Sequence, residues 1–278
     1  MQLPENYELL TRGRTSIAVH SAYREGLLAQ GLDDPDLLLR SATPLPCSSG
    51  RGAVPRLPVG GASGETMMAR RYLRGGLLRF LNRDLYADAL RPMRELAVTA
   101  DALRSGIPTV EVLAAVSVRA AGPLYRCFLF SKELPGCIDL PAYFRELAES
   151  GACAARRRDA LSAAAEAVRL MHERGFFHAD LNMKNILIDQ GAPDRLYIID
   201  WDKSKRLERV GEDLRRANAV RFCRSMLKLA ESGLPADESD AEAFLRAYRP
   251  EEKFVRSCRD ELRRTVARRR GIWKMLNR

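Results

Sequence analysis

The sequence predicts an α+β fold, with strands gathered in its N-terminal part and helices in its C-terminal part. Three observations predict it. Residues 110–118 and 125–134 are apolar runs of strand length, and residues 66–72 read as a strand ahead of them, all bounded by glycine and proline. Beyond about Leu140 the period changes: Leu161, Ala164, Ala165, Val168 and Met171 recur at the spacing of one buried helix face. Pro135-Gly136 breaks the chain between the two regimes. The expected division is an N-terminal extension over residues 1–45, a strand-rich part over 46–134 and a helical part over 135–278.

Taken in order, residues 1–45 are mixed, and residues 16–28 fit a short helix or a strand equally well. Pro44, Pro46, Pro55 and Pro58, with glycines between Gly50 and Gly64, mark a loop-rich stretch that contains Gly50-Arg51-Gly52. The strand over 66–72 is ended by Arg74-Gly75-Gly76. Residues 84–105 read as a helix stopped by Gly106 and Pro108, and the two further strands follow. Gly175 stands where the helix after Leu161 needs a C-terminal cap. Ile186-Leu187-Ile188 and Leu196-Tyr197-Ile198-Ile199 flank a turn at residues 190–194, which predicts two short paired strands. After Asp213 the pattern is helical to the end.

Composition narrows the function classes. The chain has 278 residues, 46% of them hydrophobic, enough for a real core. No uninterrupted apolar run reaches eighteen residues, so no transmembrane helix is expected. Residues 1–6 lack a basic, then apolar, leader pattern, so no signal peptide is expected. The six cysteines are scattered without a Cys-x-x-Cys pair, which argues for reduced thiols in the cytoplasm rather than a disulfide framework or a metal knot. The net charge of +10 and pI near 9.6 favour an anionic partner. No nucleic-acid-binding motif or aromatic-basic array appears, so phospholipid head groups or a phosphorylated glycolipid rank above nucleic acid.

The chemistry is concentrated in His178-Ala179-Asp180-Leu181-Asn182-Met183-Lys184-Asn185-Ile186-Leu187-Ile188-Asp189, followed by Ile199-Asp200-Trp201-Asp202. One aspartate sits on a loop, an asparagine lies five residues on, and a second aspartate ends the next strand. Phosphoryl transfer needs that set: a carboxylate to orient the attacking hydroxyl, and oxygen ligands for magnesium beside a triphosphate. Asp180 is the candidate catalytic carboxylate, and Asn185 and Asp200 are the candidate magnesium ligands. Asp202 reads equally well as a second ligand or a surface charge. His178 reads as a structural brace with a buried ring. His172 has no ligand spacing to it.

In the first part of the chain, Gly50-Arg51-Gly52 is the candidate phosphate-covering turn. Arg70, on the strand after it, stands where protein kinases carry a lysine, with Glu95 on the following helix as its partner. The strand ending at Glu133-Leu134 is the candidate source of backbone groups for adenine. From Leu262 to Arg278 there are seven Arg or Lys and no acidic residue. Phe254, Cys258, Leu262 and Val266 share one helical face there. Such a helix either packs on the domain with a solvated basic face or lies on an anionic bilayer.

These motifs resemble the signatures of bacterial lipopolysaccharide core kinases, His-x-Asp-Leu-Asn-x-x-Asn-Ile-Leu and Ile-Asp-x-Asp-Lys, which read here from His178 to Leu187 and from Ile199 to Lys203. They are similar in particular to those of the 3-deoxy-D-manno-octulosonic acid (Kdo) kinases. That group carries a Gly-Arg-Gly loop, matched by Gly50-Arg51-Gly52, and an Arg-x-Tyr-x-Arg-Gly-Gly stretch. Here the latter falls within Arg70-Arg71-Tyr72-Leu73-Arg74-Gly75-Gly76. The segment from Asn218 to Ser225 is like its Asn-Leu-x-Arg-Leu-x-Arg-Ser helix.

The resemblance spans about residues 48–230 and implies a protein-kinase-like bilobal fold. It implies ATP and Mg2+ as cofactors, and transfer of phosphate to the 4-hydroxyl of Kdo on a lipid A–Kdo glycolipid. The expected setting is the cytoplasmic face of the inner membrane, peripheral on its anionic surface.

Ala179 in place of the His-Arg-Asp arginine, Asn182 in place of a lysine and the absence of Ala-Pro-Glu after Asp200 argue against a regulated protein kinase. A heptose kinase, a kinase of another small molecule or protein, and a nucleotide-binding module without transfer activity stay open as alternatives.

Overall fold

The computed structural model describes residues 3–45, 54–60, 64–74, 84–151 and 154–276. Gly50-Arg51-Gly52 and Gly75-Gly76 lie outside the described residues, as do the side chains of Val266 and the segment after it. The chain divides into two compact units. One comprises Met1–Pro135 with Trp201–Lys203, the other Gly136–Asp200 with Ser204–Arg278.

The first unit is built on one antiparallel sheet. Its elements are β1 (Tyr7–Arg12), β2 (Thr15–His20), α1 (Arg24–Ala29), α2 (Pro35–Leu38), β3 (Thr43–Leu45), β4 (Val54–Pro58), β5 (Thr66–Arg71), α3 (Arg91–Arg104), β6 (Val112–Ala121) and β7 (Leu124–Lys132). Seven strands pair in the order β1-β2-β6-β7-β5-β4-β3. Residues 1–45 therefore supply three strands of the sheet rather than an extension beside it. Residues 16–28 are strand and helix in succession, β2 and then α1.

Both faces of the sheet are covered, which explains the continuous apolar runs. Ile17, Val19, Phe128 and Phe130 pack on one side with Leu27 of α1 and Leu32. Their neighbours Ala18, Cys127 and Leu129 pack on the other with Met93 and Leu96 of α3. The two-residue period of a strand sends alternate side chains to opposite faces, so a strand covered twice has no polar side to reveal its period. The helix expected over 84–105 begins only at Arg91, because Pro92 is tolerated in a first turn and not in an interior. Tyr86, upstream, instead exchanges two backbone hydrogen bonds with Tyr125, at 2.9 and 2.8 Å.

The second unit runs β8 (Cys137–Asp139), α4 (Leu140–Glu149), α5 (Ala154–Glu173), β9 (Phe176–Phe177), β10 (Ile186–Asp189), β11 (Ala192–Ile198), β12 (Lys205–Arg206), α6 (Glu212–Ala230), α7 (Glu238–Tyr248) and α8 (Glu252–Leu276). Leu161, Ala164, Ala165, Val168 and Met171 of α5 are all buried, as their spacing predicts. Asp139 caps α4 by accepting the Ala142 N–H at 2.8 Å. Phe254, Cys258 and Leu262 bury the proximal part of α8.

A buried polar chain ties three helices together. His172 of α5 meets the Tyr248 hydroxyl of α7 through Nδ1 (2.8 Å) and Asn218 Oδ1 of α6 through Nε2 (3.0 Å). Asn218 donates its amide to the His178 carbonyl, so Oδ1 is its acceptor end and His172 must donate from Nε2. The tyrosine hydroxyl then donates to Nδ1, and the ring is the neutral Nε2–H tautomer. Burial pushes the His172 pKa down to about 4 from 6.5.

Two outcomes follow from this architecture. Gly175, just past α5, has φ +84°, and a Cβ there would lie 2.4 Å from the Leu207 carbonyl oxygen. Gly175→Ala is expected to destabilise the fold by at least about 2 kcal/mol, read as a drop in the urea midpoint at constant slope. His172 is neutral when folded and protonates more readily when unfolded. Its contribution is therefore full above about pH 6.5 and declines as pH falls toward 4. Unfolding free energies measured across this window should show a loss of about 3 kcal/mol from this group that His172→Gln lacks. Parallel pH profiles for the two proteins would contradict the assignment.

Candidate active site

The loop from His178 to Asn185 follows β9 and feeds β10, and its backbone is held from inside the second unit. His178 is buried; its Nδ1 accepts the Asp180 N–H at 3.2 Å, so Nε2 carries the proton donated to the Ile199 carbonyl at 3.1 Å. Burial lowers the His178 pKa and keeps the ring neutral, consistent with that tautomer. The brace expected of His178 is thus a double one, to the loop and to the residue before Asp200.

Three residues of α6 grip the loop. Asn218 donates to the His178 carbonyl at 2.8 Å, and Ser225 Oγ accepts the Met183 N–H at 3.0 Å. Arg221 pairs with Asp180 itself, Nη1 to Oδ1 at 3.2 Å. Positions 218, 221 and 225 fall at i, i+3 and i+7, one face of a helix. That spacing is the sequence signal that could have singled out Arg221, which residue-by-residue reading missed.

Asp180 is open to solvent, its side chain 64% exposed. Asn182 lies against it, Nδ2 to Oδ2 at 3.4 Å. Asn185 is buried and donates Nδ2 to the Asp180 carbonyl at 2.9 Å, which leaves Oδ1 as its ligand atom. Its own carbonyl accepts the Ile199 N–H at 2.9 Å, so the asparagine and the residue before Asp200 are locked together. Asp200 has φ +65° and Lys203 φ +61°, the only non-glycine residues of the described chain in the left-handed region. Aspartate tolerates that region better than most residues. Such backbone outliers gather at functional sites. Oxygen atoms of an amide and a carboxylate are the hard donors that magnesium prefers.

In the first unit, Arg70 of β5 and Glu95 of α3 meet at 2.5 Å, Nη2 to Oε2, and Glu95 is almost wholly buried. The Tyr72 hydroxyl also donates to Glu95, and the Arg70 guanidinium lies 4.7 Å from the Tyr72 ring centroid. Burial and the neighbouring Glu95 carboxylate raise the Tyr72 pKa, so it stays a donor.

Asp202 is neither a bare surface charge nor an evident ligand. Both its oxygens are taken by Arg91, Nε to Oδ1 at 3.0 Å and Nη2 to Oδ2 at 2.5 Å. Arg91 in turn stacks on Tyr86 and Tyr72, 4.5 and 5.2 Å from their centroids. Trp201 is buried beside this pair with Nε1 on Thr109 Oγ1 at 2.9 Å.

Glu133 lies just past β7, which ends at Lys132. Its side chain pairs with Arg56 at 2.7 Å and accepts the Thr66 hydroxyl. Its N–H donates to the Thr66 carbonyl at 2.9 Å, so that backbone donor is already used within the unit.

The comparisons with known proteins agree with one another. A family model described as "Lipopolysaccharide kinase (Kdo/WaaP) family" matches residues 58–248. The chain is similar to a protein named 3-deoxy-D-manno-octulosonic acid kinase from Xylella fastidiosa (strain 9a5c). It is 30% identical over 192 residues, 67% of this chain and 72% of that one. A protein of the same name from Actinobacillus succinogenes is 27% identical over 207 residues, 72% of this chain and 82% of the relative. Among solved structures, "WaaP in complex with acyl carrier protein" superposes with a TM-score of 0.56 at 18% identity. It covers 87% of this chain and 95% of that chain, and the protein-kinase-like fold is shared. The chain belongs to the lipopolysaccharide kinase (Kdo/WaaP) family, phosphotransferases acting on a hydroxyl acceptor.

Proposed function

We propose that this protein transfers the γ-phosphoryl group of ATP to the 4-hydroxyl of Kdo on the lipid A–Kdo inner core during lipopolysaccharide biosynthesis. The observation that carries the reading is Asp180. It is an exposed carboxylate on a loop tied to α6 and to Ile199 and braced internally by Asn185. Its chain is similar to proteins named for Kdo phosphorylation.

Asp180 orients the acceptor hydroxyl and takes up its proton as the hydroxyl oxygen bonds to the γ-phosphorus. The bond from that phosphorus to the β–γ bridging oxygen breaks, and ADP leaves. Asn185 Oδ1 and Asp200 are the donors that would hold magnesium, which when bound offsets the negative charge of the phosphates. Arg70, held by Glu95, neutralises nucleotide phosphate, and Gly50, Arg51 and Gly52 cover it. Glu133 marks the segment beside adenine, with its N–H unavailable to the purine.

No helix among the described residues is long and apolar enough to cross a membrane. A chain of net charge +10 is drawn to an anionic bilayer and to a glycolipid bearing carboxylate and phosphate. The reading therefore places it peripherally on the cytoplasmic face of the inner membrane.

Asp180→Ala should lower turnover by about 10²–10⁴-fold while nucleotide affinity stays near the wild-type value. Labelled phosphate from ATP is supplied with Kdo–lipid A and, in competition, with heptosylated core. Undiminished turnover in the variant, or label on heptose alone, would overturn the proposal.

A further inference from the structure

We infer that Arg221 binds an anionic group that the acceptor carries beside its reacting hydroxyl, so that the site selects a sugar acid over a neutral sugar. This rests on the reading of Asp180 as the residue that receives the hydroxyl. Of the three α6 residues that grip the loop, Asn218 and Ser225 hold only its backbone. Arg221 alone of the three holds the reactive carboxylate, Nη1 to Asp180 Oδ1 at 3.2 Å. Loop anchoring does not need it there, since the backbone is already tied on both sides of Asp180 by Asn218 and Ser225.

The second carboxylate oxygen of Asp180 faces Asn182 Nδ2 at 3.4 Å, so each oxygen has one donor against it and keeps a lone pair for a hydroxyl. The pair is exposed, 40% on the arginine and 64% on the aspartate, and an ion pair in that setting is weak and exchangeable. An incoming carboxylate offers the guanidinium a two-pronged partner that matches its planar fork. Arg221 then turns to the acceptor's acid group, and Asp180 Oδ1 is released to the neighbouring hydroxyl. A guanidinium so placed fixes the acceptor by its charged group within a few bonds of the oxygen to be phosphorylated. An octulosonic acid carries such a carboxylate; a heptose does not.

Arg216, with Asp213 and Glu261, and Arg249, with Glu212 and Glu251, each meet two carboxylates. None of those carboxylates belongs to the loop.

The test is steady-state transfer by the full chain from magnesium-ATP to two acceptors, Kdo–lipid A and the same molecule with the Kdo carboxylate as its methyl ester. The wild-type protein should favour the acid over the ester by about tenfold to a hundredfold in kcat/KM, mostly through KM. Arg221→Gln should abolish that preference, and Arg221→Lys, which keeps the charge without the fork, should restore part of it. A preference that survives intact in Arg221→Gln, with both acceptors losing the same factor, overturns the inference and leaves the Kdo assignment standing. No transfer to either acceptor by the wild-type chain overturns the Kdo assignment and this inference with it.

Discussion

The second unit depends on one buried amide. Asn218 accepts from His172 and donates to the His178 carbonyl, and both hydrogen bonds lie out of water. An unpaired polar group at such a place costs more than the bond it would make is worth. The position therefore tolerates neither an apolar substitute nor a reversed amide. Through His172 the amide reaches Tyr248 of α7, and through His178 it reaches Ile199 and the Asp180 N–H. The helical scaffold and the loop are thus a single hydrogen-bonded object. Precise placement of an exposed carboxylate becomes compatible with the mobility that exposure brings.

The first unit meets the same demand with charge. Two arginines are laid across tyrosine faces, Arg70 on Tyr72 and Arg91 on Tyr72 and Tyr86, and each is completed by a carboxylate, Glu95 or Asp202. Stacking restricts the long side chains, so each ion pair loses less conformational freedom than a free surface pair would. Glu95 is buried and accepts from two donors, which satisfies a carboxylate held out of water.

Legibility in the sequence followed the distance over which each feature is specified. The loop from His178 to Asn185 and the strand pair after it are local, and their spacing alone marks them. The partnership of Arg70 and Glu95 was readable because protein kinases pair a lysine on that strand with a glutamate on the helix after it. Asp202 was not, since its partner lies 111 residues away, across a separation that no local pattern encodes. Strand β2 was obscured because its partner β6 begins nearly a hundred residues on, at Val112, and β1, which pairs only with β2, was obscured with it. The start of α3 was written in Pro92 but outweighed by the apolar residues before it. The role of Arg221 was hidden by an ordinary property: a basic residue on an amphipathic helix reads as a solvated face until the loop it touches is known.

Strand β5 carries arginine at positions 70 and 71 and no lysine at all. The whole chain has 46 basic residues, of which only Lys132, Lys184, Lys203, Lys205, Lys228, Lys253 and Lys274 bear a primary amine. Guanidinium groups stay protonated at neutral pH and do not acylate under conditions that modify amines. Nucleotide analogues that tag kinases by transferring an acyl group to the lysine of this strand meet no nucleophile here. A survey that reads only that position would find no label on this strand, with its strand and helix pairing fully formed.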